Sequence, residues 1–142
     1  MPRVIRINHI GLATESISDA LRVFGDGLGM EIAGGEVVPG DNVRVLFAPV
    51  GESRFEFLEP VGDEGPVHKF LEKRGPGIHH ICLEVEDLRG MLDHLSALGV
   101  ELIDSQPRPG AHGTMVAFVH PKSANGVLIE LVETHPDSGS NS

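Results

Sequence analysis

Apolar residues along the chain fall into short strand-like runs, interrupted by three segments with helical spacing. Residues 4–13, VIRINHIGLA, read as a strand. Residues 16–28 follow the helical period, with Ile17, Leu21, Phe24 and Leu28 on one stripe. Ser16 or Ser18 can cap this helix, and Gly29 ends it. Strand-like runs follow at 30–38, 42–49 and 53–59, separated by turn chemistry at Pro39-Gly40-Asp41 and Gly51-Glu52. Residues 66–74, PVHKFLEKR, form a short helical segment with Pro66 at its start and Gly75 at its end.

The same order then recurs. GIHHICLEV (77–85) reads as a strand, and residues 87–98 as a helix capped by Asp87 and closed by Gly99. VELI, TMVAFVH and GVLIELVE read as further strands. Set one above the other, NHIGLATESI matches HHICLEVEDL, LGMEI matches LGVEL, VLFAP matches VAFVH, and FEFLE matches LIELVE. His80 stands 71 positions after His9, and Glu130 stands 74 after Glu56, the extra residues falling in the turn HPKSANG. A duplicated βαβββ unit accounts for order, helix placement and polar positions together. The expectation is one α+β domain over 4–133, with units at about 4–60 and 77–133 and a helical linker at 61–76. The tail, 134–142, is polar and expected to be disordered.

Alternation also places the chemistry. In a strand, neighbouring side chains take opposite faces. Asn8, Ile10 and Leu12 share one face of the first strand, and His79, Ile81, Leu83 and Val85 share the matching face of its copy. Those faces should cover helices, leaving His9 and His80 opposite. Glu56 lies on the face of Leu58, and Glu130 on that of Leu128 and Val132. Two imidazoles and two carboxylates converging on a partly apolar cleft need a cation, because unpaired carboxylates there cost several kcal/mol to desolvate. Mixed N/O ligation suits divalent Zn, Co, Ni, Mn or Fe. Taken singly, a strand histidine or glutamate is more often a packing or surface residue; the repeat-equivalent quartet reverses that. Cys82 shares the face of His80 and reads as packing, whereas His79 points away. His112 and His120 stand in GAHG and HPKS, at the rim of such a cleft. His68, His94 and His135 read as surface residues.

Charge narrows the partners. The formal net charge of −10 disfavours nucleic acid. No apolar run reaches the roughly 20 residues needed to span a bilayer. The single cysteine excludes an internal disulfide and fits a reducing compartment. MPRVIRINHI lacks an apolar signal core, so a cytoplasmic location is expected.

The His/Glu quartet and the duplicated unit resemble the vicinal oxygen chelate superfamily. Within it the chain is most similar to methylmalonyl-CoA epimerases, through NHIGLA, FLEP followed by PVHKFLEKRG, GIHHICLEV, RPGAHG and HPKSANGVLIEL, over nearly all of Ile5 to Glu133. The resemblance implies a curved eight-stranded mixed sheet around the metal, a homodimer, an acyl-CoA substrate and a divalent ion, Co2+ first, with Zn2+, Ni2+ or Mn2+ as alternatives. It maps the metal ligands onto His9, Glu56, His80 and Glu130. It also implies proton transfer at C2 of methylmalonyl-CoA, with Glu130 as the first catalytic group; Glu56, its repeat partner across the bound carbon, is the second, and His112 or a metal-bound water is the alternative to one of them. Some members carry Gln at the position of Glu56 and a proton-shuttling Glu at that of Arg44, and an arginine cannot act as a base near neutrality. His112 and Lys122 are expected to meet substrate; Lys69, Lys73, Arg74 and Arg108 are further candidates for the CoA phosphates. A glyoxalase I-type lactoylglutathione lyase shares the quartet and is the alternative enzyme. A ligand-sequestering resistance protein is the non-enzymatic one, although it does not need the quartet.

Overall fold

A computed structural model describes residues 2–38, 40, 42–110 and 113–134. In chain order these form β1 (Val4–Ala13), α1 (Ile17–Leu21), β2 (Ala33–Val38), β3 (Val43–Val50), β4 (Ser53–Pro60), α2 (Pro66–Arg74), β5 (Gly77–Val85), α3 (Leu88–Ala97), β6 (Arg108–Pro109), β7 (Met115–Val119) and β8 (Ile129–Glu133). A π-helical turn, Arg22–Gly27, continues α1, and a 3-10 turn, Pro121–Ser123, precedes β8. The class is α+β, and the eight described strands pair in both senses, as expected. The polar tail expected over 134–142 lies outside the described residues except for Thr134.

The chain separates into two compact units. One is His9–His79; the other joins the residues up to Asn8 with those from His80 onward. Both β1 and β5 therefore pass from one unit to the other.

In the His9–His79 unit the strand order is β2-β3-β4-β1. β1 runs parallel to β4 with Gly11 opposite Glu56, and β3 runs antiparallel to β4 with Phe47 opposite Glu56. One sheet face carries Leu12, Leu46, Ala48, Phe55 and Phe57, packed by Ile17, Leu21 and Phe24. Full burial of Phe57 and Ala48 makes this the unit's densest region, worth about 2–3 kcal/mol for the phenylalanine alone. The other face carries Ala13, Val43, Val45 and Leu58. Here α2 packs, through Val67, Phe70 and Leu71. The linker helix thus covers part of the face that bears His9 and Glu56, which sequence patterning did not indicate.

The second unit repeats this with order β5-β8-β7-β6. Leu83 and Val85 face Leu88, Met91 and Leu92 of α3, while Cys82 packs with Val116 and Val132 on the opposite face. Arg3 forks onto Glu86 through Nε and Nη2, both at 3.3 Å, and draws the exposed Glu86 carboxyl below its ordinary range.

Both helix starts use the same device. Ser16 Oγ accepts from Asp19 N, and Glu59 Oε2 accepts from Ile17 N at 2.9 Å. Asp87 Oδ1 accepts from Gly90 N, and Glu133 Oε1 accepts from Leu88 N at 2.6 Å. Glu59 and Glu133 are repeat partners, each reaching from the end of its strand to the positive end of a helix.

Three expectations are corrected. The helix expected over 16–28 widens after Leu21, where the Leu28 amide bonds Val23 O. That wider winding moves later positions off the 3.6-residue stripe, and Leu28 is left 65% exposed. The strand expected from residue 30 starts at Ala33, since Met30 and Ile32 still pack against the helix turn. VELI is not a strand; Leu102 makes an isolated bridge to Val119, and Ile103 and Asp104 both donate to Phe118 O. The edge is instead the two-residue β6, shortened by Pro109, which has no N–H to pair.

Replacing Glu59 or Glu133 with alanine should each cost about 1 kcal/mol of stability, the usual loss of a helix cap. Urea unfolding of the two variants checks this; an unchanged midpoint in both would show that solvent caps these helices equally well.

Candidate metal centre

Alternation along β1 puts His9, Gly11 and Ala13 on the face opposite Leu12. His9 is 7% exposed. Parallel pairing with β4 then sets Glu56 beside Gly11. The result is a His9 Nδ1 to Glu56 Oε2 separation of 3.4 Å. On the other side of Glu56 stands Phe47. Its ring needs Gly34 above it: at φ +98, beside a bulge, Gly34 lies so close that an added Cβ would meet the ring at 3.0 Å.

The second unit builds the same pair. His80 is 8% exposed, with Nε2 3.5 Å from Glu130 Oε1. Cys82 stands opposite Glu130 on β8's one flank and Phe118 on the other. Phe118 is the repeat partner of Phe47, and Cys82 that of Gly11.

Both N···O separations exceed the 2.7–3.2 Å of an ordinary hydrogen bond. Two adjacent donors about 2.1 Å from one ion lie about 3.0–3.4 Å apart, from six-coordinate to four-coordinate geometry. Neutral imidazole with carboxylate is also a donor set that divalent first-row metals accept. Each pair therefore fits a share of a metal site.

Around Glu56 there is a residue that sequence reading passed over. Arg54, two positions earlier on β4 and so on the same face, donates from Nε at 3.2 Å and Nη2 at 2.9 Å, both to Glu56 Oε2. Its guanidinium also lies 5.4 Å from the Phe47 ring centroid. The i, i+2 spacing in a strand was the available signal. In the other unit Arg6 donates to Glu84 Oε1 at 2.9 Å, a second ion pair on the His80 face that was not foreseen.

Arg44 requires a correction. It was read as standing where a proton-shuttling group would be, but β3 turns it to the opposite face. There Nη1 donates to Gly35 O at 2.9 Å and Nε lies 3.8 Å from Glu59 Oε1. The β3 residues that share Glu56's face are Val43, Val45, Phe47 and Pro49, all apolar. Of the remaining candidates, His79 sets its ring 5.0 Å from Phe70, edge to face. His120 caps the 3-10 turn, its Nδ1 accepting from Lys122 N. Lys122 is exposed on that turn. Arg108 is engaged by Asp104 and by the Phe118 ring. His68 pairs loosely with Glu72, and His94 lies in the last turn of α3. His112 and His135 lie outside the described residues.

The chain belongs to the glyoxalase/bleomycin resistance protein/dioxygenase superfamily, whose model matches residues 8–118. It is 39% identical over 128 residues to the ethylmalonyl-CoA/methylmalonyl-CoA epimerase of Cereibacter sphaeroides, covering 89% of this chain and 96% of that one. The solved methylmalonyl-CoA epimerase of Mycobacterium tuberculosis is similar with a TM-score of 0.82 at 33% identity, over 96% and 93% of the two chains. A variant of the Streptomyces coelicolor methylmalonyl-CoA epimerase, solved with 2-nitronate-propionyl-CoA, gives a TM-score of 0.82 at 31% identity, over 94% and 97%. No helix among the described residues is long and apolar enough to cross a membrane.

Arg44→Ala and His79→Ala should bind a divalent ion within about twofold of wild type, since both side chains are spent away from the two His–Glu pairs. His9→Ala and His80→Ala should lose most of that affinity. Titration of metal-free protein with Co2+ compares the four; equal affinities throughout would separate the pairs from metal binding.

Proposed function

We propose that this chain is a methylmalonyl-CoA epimerase, interconverting the (R) and (S) forms at C2. The observation that carries the proposal is the buried His–Glu pair set into each half of the duplication, with N···O separations of 3.4 and 3.5 Å. We assign His9, Glu56, His80 and Glu130 jointly to one divalent ion, with Co2+ the first candidate. Such an ion would supply Lewis-acid stabilisation of the charge that develops when C2 loses its proton.

The protein's own groups do the rest. His9 and His80 would each offer one ring nitrogen to the ion. Glu130 takes the C2 proton on one side, and Glu56, its repeat partner, returns a proton on the other, as a two-base exchange requires. Phe47, Val45, Val116 and Phe118 give the ligand-bearing faces apolar surfaces that favour the substrate's acyl carbons over water. Lys122 meets the CoA phosphates. The similarity to acyl-CoA epimerases, rather than the quartet, separates this reading from a lactoylglutathione lyase, which needs the same ligands. We further propose a cytoplasmic homodimer.

The deciding experiment follows the C2 proton of methylmalonyl-CoA by NMR in heavy water, with chelated and Co2+-restored protein. Exchange that depends on the metal, at about one ion per chain by elemental analysis, is expected. Preference for the methylglyoxal–glutathione adduct would favour the lyase instead.

Glu130→Gln and Glu56→Gln should each block interconversion by at least about 100-fold, because a Gln oxygen still ligates but loses its basicity. A variant lacking one base should still wash out the proton of a single stereoisomer, so each isomer is followed separately. Wild-type epimerisation in Glu56→Gln would leave Glu56 as a ligand only.

A further inference from the structure

We propose that Arg54 is a positioning residue that fixes the Glu56 carboxylate beside His9 and so sets the spacing of two metal ligands; this rests on the metal site proposed above. Both of its bonds land on a single oxygen, Oε2, the same atom that lies 3.4 Å from His9 Nδ1. A carboxylate tied at one oxygen by two N–H groups cannot swing about its terminal bond without breaking both. The guanidinium is fixed in turn by the Phe47 ring at 5.4 Å, and Phe47 is fixed by the close approach of Gly34. A chain of contacts thus runs from β2 through β3 to the carboxylate on β4.

Burial argues against a merely solvated ion pair. The Glu56 side chain is 13% exposed and that of Arg54 38%, so the acid is largely withdrawn from water while the base reaches it from the rim. Exposed pairs contribute little, but a charge-assisted bond to a mostly buried carboxylate is shorter and stronger. The arrangement also belongs to one half only. The position equivalent to Arg54 in the second unit is Leu128, and the arginine over the equivalent ring, Arg108, is bonded to Asp104 instead. Duplication alone therefore does not explain Arg54.

Arg54→Met retains an unbranched stem over Phe47 and removes every donor. Calorimetric titration of metal-free protein with Co2+ should show binding about 10–100-fold weaker than wild type, the usual effect of losing a partner that orients a ligand. The visible Co2+ absorption bands should shift as well, since the geometry at Glu56 relaxes. Arg54→Lys, with the charge but not the fork, should restore part of the affinity. An unchanged dissociation constant and spectrum in folded Arg54→Met would overturn the proposal. Tighter binding would overturn it too, by showing that the arginine competes with the ion for Oε2. If Arg54→Met does not fold, Arg54→Gln is measured in its place under the same criteria. Wild-type protein that binds no Co2+ would remove the metal site itself, and this inference with it; normal wild-type binding with an indifferent Arg54→Met removes only the inference.

Discussion

The alternation of side chains across the strands is the constraint on which the molecule depends. On β1 it sends Leu12 into the core under α1 and, one residue earlier or later, Gly11 and Ala13 to the other face with His9. On β5 it sends Leu83 toward α3 and Cys82 toward Val116 and Val132. A slip of one residue would put an imidazole and a carboxylate under a helix, at several kcal/mol each for unpaired burial. Packing and chemistry therefore enforce the same register: the apolar face cannot be satisfied without presenting the ligand face.

Against that constraint, the legible and illegible parts of the sequence divide cleanly by range. Strand parity needs only neighbours, so the faces that carry His9, Glu56, His80 and Glu130 could be read from short runs and the repeat. Helix α2 was legible over Pro66–Arg74 because Pro66 and Gly75 mark both ends. Which face it covers was not, because that depends on Val67, Phe70 and Leu71 meeting Ala13 and Leu58 across the fold. The same holds at VELI, whose apolar residues suit a strand. Asp104, which accepts from Phe118 N, draws the chain into a bend that no local preference records. The surroundings of Arg44 were not legible either, because they depend on the pairing of β3 with β4, which sets Arg44 opposite Glu59.

The linker helix changes how the ligand face should be regarded. Patterning suggested helices on one side and an open cleft on the other. In the His9–His79 unit, α2 instead packs on that face, with Val67 in one cluster with Ala13, Val43, Val45 and Leu58. Lys73 and Arg74 end the helix, and Arg74 lies 5.7 Å from the Phe70 ring centroid. An acidic chain thereby carries two cations at the end of the element that borders its ligand face. That local sign matters more to an anionic substrate than the net charge, because screening confines attraction to about 10 Å at ordinary ionic strength.

Duplication supplies geometry twice but need not supply chemistry twice. The helix caps Glu59 and Glu133, the rings Phe47 and Phe118, and the two His–Glu pairs repeat with nearly the same contacts. The flanking residues do not. Glu56 sits between Gly11 and Phe47 with Arg54 on its oxygen, whereas Glu130 sits between Cys82 and Phe118 with Leu128 at the arginine's position. A guanidinium orients the carboxylate it bonds, whereas Leu128 offers no donor at the matching position. Two carboxylates that are equivalent in fold are thus unlike in surroundings, on the two sides of one reacting carbon in the mechanism proposed. An epimerisation has nearly equal substrates and products, so nothing in its thermodynamics demands unlike groups. What the asymmetry can govern is the orientation of the Glu56 carboxylate, which two donors hold at a single oxygen.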